Sequence, residues 1–132
     1  MAEQATALLY NLEQTPKGNQ IKFLLIRMGI HIKNIRPEQY LIPLKILSGA
    51  DRFSKIQKSY TGEGFSDEML VMKNFSGAQL DEFLLRMRKA GIPRVDLKAV
   101  LTPSNQEWDS ITLYEELKRE HAAMQQVPAD KK

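Results

Sequence analysis

The apolar positions of the chain fall into two matching series. Each opens on a short continuous apolar run, Leu8-Leu9-Tyr10 within Leu8 to Leu12 and Met69-Leu70-Val71-Met72 within Met69 to Lys73. Such runs predict strands buried on both faces. A capped helix start follows each. Thr15 can cap with Pro16 at the first helical position, where the missing N–H costs nothing, and Ser76 with Gln79 three residues later makes a capping box. The second helix carries Leu80, Phe83, Leu84, Met87 and Ala90 on one stripe, with Asp81 and Glu82 early and Arg86, Arg88 and Lys89 late. That is the periodicity and charge order of an amphipathic helix. Gly91 ends it as a left-handed cap, and Gly29 does the same in the first series. After each Gly-Ile a further strand alternates: Ile30 and Ile32 against His31 and Lys33, then Val95, Leu97 and Ala99 against Asp96 and Lys98. Alternation predicts one buried and one wet face. Each series closes with another helix, beginning near Pro37 and near Asp109.

The two series align at an offset of 62 residues: Leu8 and Leu9 fall on Leu70 and Val71, Ile21 on Phe83, Leu25 on Met87, Gly29 on Gly91 and Ile30 on Ile92. Arg36-Pro37 and Thr102-Pro103 correspond only with about four residues inserted in the second half. The expected fold is therefore α+β: a ferredoxin-like, four-stranded antiparallel sheet from two duplicated βαβ units, each followed by an extra helix. The continuous apolar strands take the centre and the alternating ones the edges. A parallel sheet is the competing arrangement. One domain spans residues 1–132, with repeat halves at about 7–48 and 68–125. The Ser-, Gly- and Lys-rich stretch 49–67 reads as a mobile connection, and 127–132 as a disordered tail.

One helix is too apolar for a single stripe. Between Asn19 and Gly29 only Gln20, Lys22 and Arg27 are polar, against Ile21, Phe23, Leu24, Leu25, Ile26 and Met28. Two of its faces are therefore expected to meet protein. Either an extra helix packs over it, or the region around Phe23 and Ile26 (or an edge strand) forms a homo-oligomer interface.

Composition narrows the chemistry. The 132 residues include no cysteine, which excludes disulfides, thiolate metal sites and cysteine nucleophiles. No apolar stretch exceeds the four residues of Phe23 to Ile26, far short of the about 20 residues that a membrane helix needs. The N-terminus carries Glu3 and no early basic cluster, so no secretory signal is expected and the location is read as cytoplasmic. Net charge is +3, and residues 1–66 hold nine Lys/Arg against five Asp/Glu. His31 and His121 lie ninety residues apart, leaving no spacing for a zinc site, and no cofactor is expected. Glu115 and Arg119 make an i, i+4 pair on a solvated helix face. Thr15-Pro16-Lys17-Gly18 could meet an anion at a helix start but lacks the glycine spacing of a phosphate loop.

The densest polar segment runs from Lys98 through Thr102-Pro103-Ser104-Asn105 to Trp108-Asp109. Turn chemistry explains most of it: Pro103 presets the turn, Asn105 can form an Asx-turn, Asp109 caps the last helix and Trp108 can staple onto Leu113. The functional reading makes Lys98, Thr102, Asn105 and Trp108 the lining of a small cleft for an amphipathic metabolite. The run Met69 through Glu120, above all Lys98-Ala-Val-Leu-Thr-Pro-Ser-Asn followed by Trp108 and Glu120-His121, resembles a small bacterial family known as domain of unknown function 3783. The resemblance covers the C-terminal half. It implies a bacterial source and no activity, and it assigns no functional residues.

The expected function is a non-catalytic cytoplasmic module that binds a small molecule or self-associates. One alternative is a nucleic-acid-associated protein using Lys17, Lys22, Arg27, Lys33 and Arg36 of the basic half. Nucleic acid is disfavoured because the basic residues are scattered, and because Met69 to Met72 lacks the aromatics an RNA-recognition sheet would carry. The other alternative is a small enzyme with its site beside Trp108.

Overall fold

In this computed structural model the described residues are 5–48 and 64–126. Most of the 49–67 connection, up to residue 63, and the 127–132 tail lie outside them. The elements are β1 (Thr6–Tyr10), α1 (Pro16–Arg27), β2 (His31–Ile35), α2 (Leu44–Leu47), β3 (Met69–Lys73), α3 (Gly77–Lys89), β4 (Leu97–Val100) and α4 (Ser110–Gln126). Single 3-10 turns at Pro37–Gln39 and Asn105–Glu107 precede α2 and α4.

The strands form one sheet in the order β2-β1-β3-β4. The continuous apolar strands are central and almost wholly buried, and the alternating ones are edges. The antiparallel expectation is corrected: β1 pairs with β2 in parallel, β3 pairs with β4 in parallel, and only the β1–β3 seam is antiparallel. The sheet is mixed. Each second strand lies beside the first strand of its own unit, the direct product of a strand–helix–strand crossover.

Local chemistry explains both units. The Thr15 side chain accepts from the Gly18 N–H at 2.9 Å and donates to the Leu12 carbonyl at 2.8 Å, holding the start of α1. Ser76 and Gln79 exchange bonds of 3.0 and 2.9 Å at the start of α3. Gly29 (φ 75°) and Gly91 (φ 73°) end the two helices in the left-handed region. The following Ile30 and Ile92 N–H groups each reach back 3.0 Å to Leu25 and Met87 carbonyls. β1 and β3 are likewise each followed by a left-handed asparagine, Asn11 (φ 61°) and Asn74 (φ 64°).

Both faces of the sheet are covered. α1 and α3 bury Ile21, Leu25, Phe83 and Met87 against Leu9, Leu70 and Met72. On the other face, α2, α4 and the flanking segments bury Leu44, Leu47, Tyr40, Phe65 and Leu113 against Leu8, Tyr10, Val71 and Leu97. The wet edge-strand faces expected from alternation are therefore partly covered, since Ile32 and Ile35 turn to opposite layers. The extra helices do not cover α1 either. Phe23 and Ile26 remain 59% and 62% exposed, with the Arg27 guanidinium 5.5 Å from the Phe23 ring centre.

An aromatic column ties the second layer together. Phe65 stacks on Tyr40 at 4.7 Å and on Tyr114 at 4.0 Å, and Tyr10 lies 5.9 Å from both Tyr40 and Phe65. The Tyr10 and Ser110 hydroxyls share a buried bond of 2.7 Å. No described helix is long and apolar enough to cross a membrane.

Candidate functional site

The four residues expected to share a cleft are divided by the sheet. Thr102 and Asn105 close a turn on each other: the Thr102 N–H donates to Asn105 Oδ1 (2.8 Å), the Asn105 N–H donates to Thr102 Oγ1 (3.1 Å), and Asn105 Nδ2 reaches the Val100 carbonyl (3.2 Å). Asp109 Oδ1 accepts from the Thr112 N–H at 2.8 Å, so it caps α4. Trp108 packs against the α2/α4 layer, to which Leu113 also belongs, and its carbonyl accepts from the Leu44 N–H at 2.8 Å. Turn and cap thus use most of the polar groups of this segment.

Lys98 sits elsewhere. It lies near the start of β4 and, because Leu97 and Ala99 face the α2/α4 layer, it points to the α1/α3 side. There it lines a recess of about 350 Å³ with Leu84, Met87 and Arg88 of α3 and Ile92, Arg94 and Val95 of the α3–β4 connection. Its ammonium donates to the Val95 carbonyl at 2.6 Å. Partial burial, then the nearby charge of Arg94, hold the Lys98 ammonium below the usual lysine range; Asp96 opposes the shift and Lys17 adds to it. Arg94 pairs with exposed Asp96 at 3.3 Å. Of the four expected residues only Lys98 lines this recess, and its neighbours Arg88 and Arg94 were not among them. The signal was present in Arg88, Arg94 and Lys98, which follow one another along α3, loop and β4 between apolar residues.

The basic residues proposed for nucleic acid are dispersed. Lys17 donates to Glu68 (2.6 Å) and to the Arg94 carbonyl (2.9 Å), while Arg36 lies 3.9 Å from Glu13. Lys33 turns to the opposite layer and donates to the Leu47 carbonyl at 2.9 Å, with its ammonium held below the usual range by burial and then by Lys73. Lys22 and Arg27 remain on α1.

Among the described residues there are further recesses. One of about 310 Å³ lies beyond the ends of β1 and β2, lined by Asn11, Asn34 and Arg36 among others. Another of about 360 Å³ lies between α1 and the end of α3, lined by Asn19, Gln20, Phe23, Leu24, Ala90 and Ile92. Among the described residues no group of three or more His, Asp or Glu side chains is placed to hold a metal.

Residues 68–124 match a family described as a domain of unknown function, DUF3783. The matched stretch begins just before β3 and takes in α3, β4 and most of α4, so it contains the whole Lys98 recess. No curated protein and no solved structure matches the chain.

Proposed function

We propose that the chain is a non-catalytic cytoplasmic module that binds a small molecule between α3 and β4. The observation that carries this reading is the Lys98 recess. Its volume of about 350 Å³ is at the scale of a small-ligand site, and it joins a floor of Leu84, Met87, Ile92 and Val95 to a polar rim. Backbone amide shifts followed by NMR during addition of a fragment mixture test it. Shifts concentrated on residues 84–98 support the reading; shifts confined to Trp108 and its turn, or none at all, count against it.

A second reading, self-association with another copy, is favoured by exposed Phe23 and Ile26. α1 holds three cations and no carboxylate, while the outer side of α3 offers exposed Leu85 beside Asp81 and Glu82. Sedimentation of the Phe23→Ser, Ile26→Ser double variant tests it: an oligomer that becomes monomeric supports the interface, and a monomeric parent refutes it. Descent of the two βαβ units from one duplicated unit is part of the same proposal, supported by the paired helix caps and by Asn11 and Asn74.

A further inference from the structure

Resting on that ligand-binding reading, we propose that the Lys98 recess selects an organic anion: a carboxylate, phosphate or sulfonate head on a compact apolar body. Arg88, Arg94 and Lys98 all line it, and no acidic side chain does. Arg88 forms no ion pair with a described residue. The Arg94–Asp96 pair is largely exposed, at 78% and 55%, so water screens it and Arg94 can be shared with a ligand. Lys98 spends one of its three donors on Val95 and has two left. Lys17 does not line the recess; it is held by Glu68 and the Arg94 carbonyl, and its charge acts on Lys98 only as the smallest of the influences there.

The two halves of the site make different demands. An inorganic anion would satisfy the rim and leave the apolar floor in water. A neutral apolar molecule would cover the floor while leaving three cations partly desolvated, at a cost that one anionic head removes. Met87 at the floor lets the recess accept more than one apolar shape. Lys98 supports the same conclusion from the protein's side, because its charge is unfavourable where it sits and an anion would relieve it.

The test uses two dyes that differ in the charged group, titrated by fluorescence into the full chain. Anilinonaphthalene sulfonate carries the anion; N-phenylnaphthylamine is its uncharged counterpart. The sulfonate is expected to bind about tenfold or more tightly, with the advantage shrinking as salt is added. Lys98→Met should remove most of that advantage without changing the neutral dye, and Lys98→Arg, which keeps the charge, should retain it. Phe23→Ser in the α1 groove, which shares only Ile92 with the recess, should leave the preference intact. Equal affinity for both dyes, unchanged by Lys98→Met, overturns anion selection while the recess still stands as a binding site. If neither dye binds, or if Leu84→Trp, which fills the recess, leaves both affinities unchanged, the ligand-binding reading itself falls. Loss of binding in both Lys98→Met and Lys98→Arg would assign Lys98 to structure and overturn its role in charge selection.

Discussion

Gly18 should be nearly irreplaceable, although an alanine there would ordinarily favour a helix. It occupies the first turn of α1, buried against the chain that enters the helix. A Cβ at this position would land on the Leu12 carbonyl oxygen, with the Leu12 carbonyl carbon 2.7 Å and Thr15 Oγ1 2.9 Å away. The neighbours are poorly able to yield. Leu12 is fully buried, and its carbonyl accepts both the Thr15 hydroxyl (2.8 Å) and the Thr15 N–H (3.3 Å). Replacing Gly by Ala in a helix gains at most about 1 kcal/mol. Against this stand the Thr15 cap and its bond to Leu12, about 1 kcal/mol each, and about 1–3 kcal/mol for forcing apart a packed site. The net expectation for Gly18→Ala is a loss of about 2–4 kcal/mol, or a fall of roughly 10 °C in Tm for a domain of this size. Gly77 supplies the control, because it opens α3 and a Cβ there meets nothing within 4 Å. Gly77→Ala should be neutral or stabilising by a few tenths of a kcal/mol. Urea unfolding followed by far-UV circular dichroism measures both. A Gly18→Ala variant within about 0.5 kcal/mol of the parent would refute the steric account, and with it the explanation of why glycine follows Thr-Pro-Lys.

Other expectations concern the second layer and the two helix faces. Tyr10→Phe and Ser110→Ala should each cost about 1–2 kcal/mol, and the double variant less than their sum, because the two hydroxyls satisfy each other in a dry site; a fully additive cycle in urea would refute the coupling. Burial pushes the Tyr10 phenol well above its ordinary value, with its bond to Ser110 opposing. The unfolded chain therefore releases that proton first, so this contribution to stability is complete below about pH 10 and is lost as pH rises further; an absorbance titration should show Tyr10 ionising only with unfolding. The Asp67 carboxyl, held below its usual range first by the Tyr114 hydroxyl (2.9 Å) and also by Lys118, acts in the opposite sense. Its contribution is present above about pH 4 and fades as pH falls, and Tyr114→Phe should flatten that acid-side slope. Trp108→Phe should lower stability by about 1 kcal/mol while leaving any bound dye on the opposite face unaffected, and a change in dye affinity would contradict the division of the cleft by the sheet.

The elements were legible because their signals are local. Caps at Thr15 and Ser76, the left-handed glycines and the apolar stripe of α3 each require only a few neighbouring residues. Central and edge strands were also legible, since Met69 to Met72 must be covered on both faces and His31 to Ile35 need not be. Strand pairing was not. Hydrophobic pattern records how deeply a strand is buried but not whether a crossover returns it beside its own first strand, which makes the pair parallel, or leaves room for another strand between them. The placement of the expected cleft residues was hidden for the related reason of facing. Lys98 and Trp108 are only ten residues apart, yet alternation along β4 sends Lys98 to one layer while the turn delivers Trp108 to the other. Phe65 and Tyr40 gave no periodic signal at all. Their partners come from four separate segments, so their column exists only once the layers are assembled.

The lone antiparallel seam has a consequence for how the molecule holds together. Leu8 lies opposite Val71 and Leu9 opposite Leu70, so exchanging the two units at their offset of 62 residues carries the seam onto itself. Both apolar layers draw side chains from both units, and neither unit encloses a core alone. In assembly terms the two units meet across this seam as the subunits of a dimer would, except that one backbone joins them. Tethering substitutes a fixed local concentration for subunit concentration, so cohesion across the seam is independent of how dilute the protein becomes. A single unit separated from its sibling would present the bare edge of β1 or β3 between two unfinished apolar layers, and a second copy of itself would offer the complementary surface.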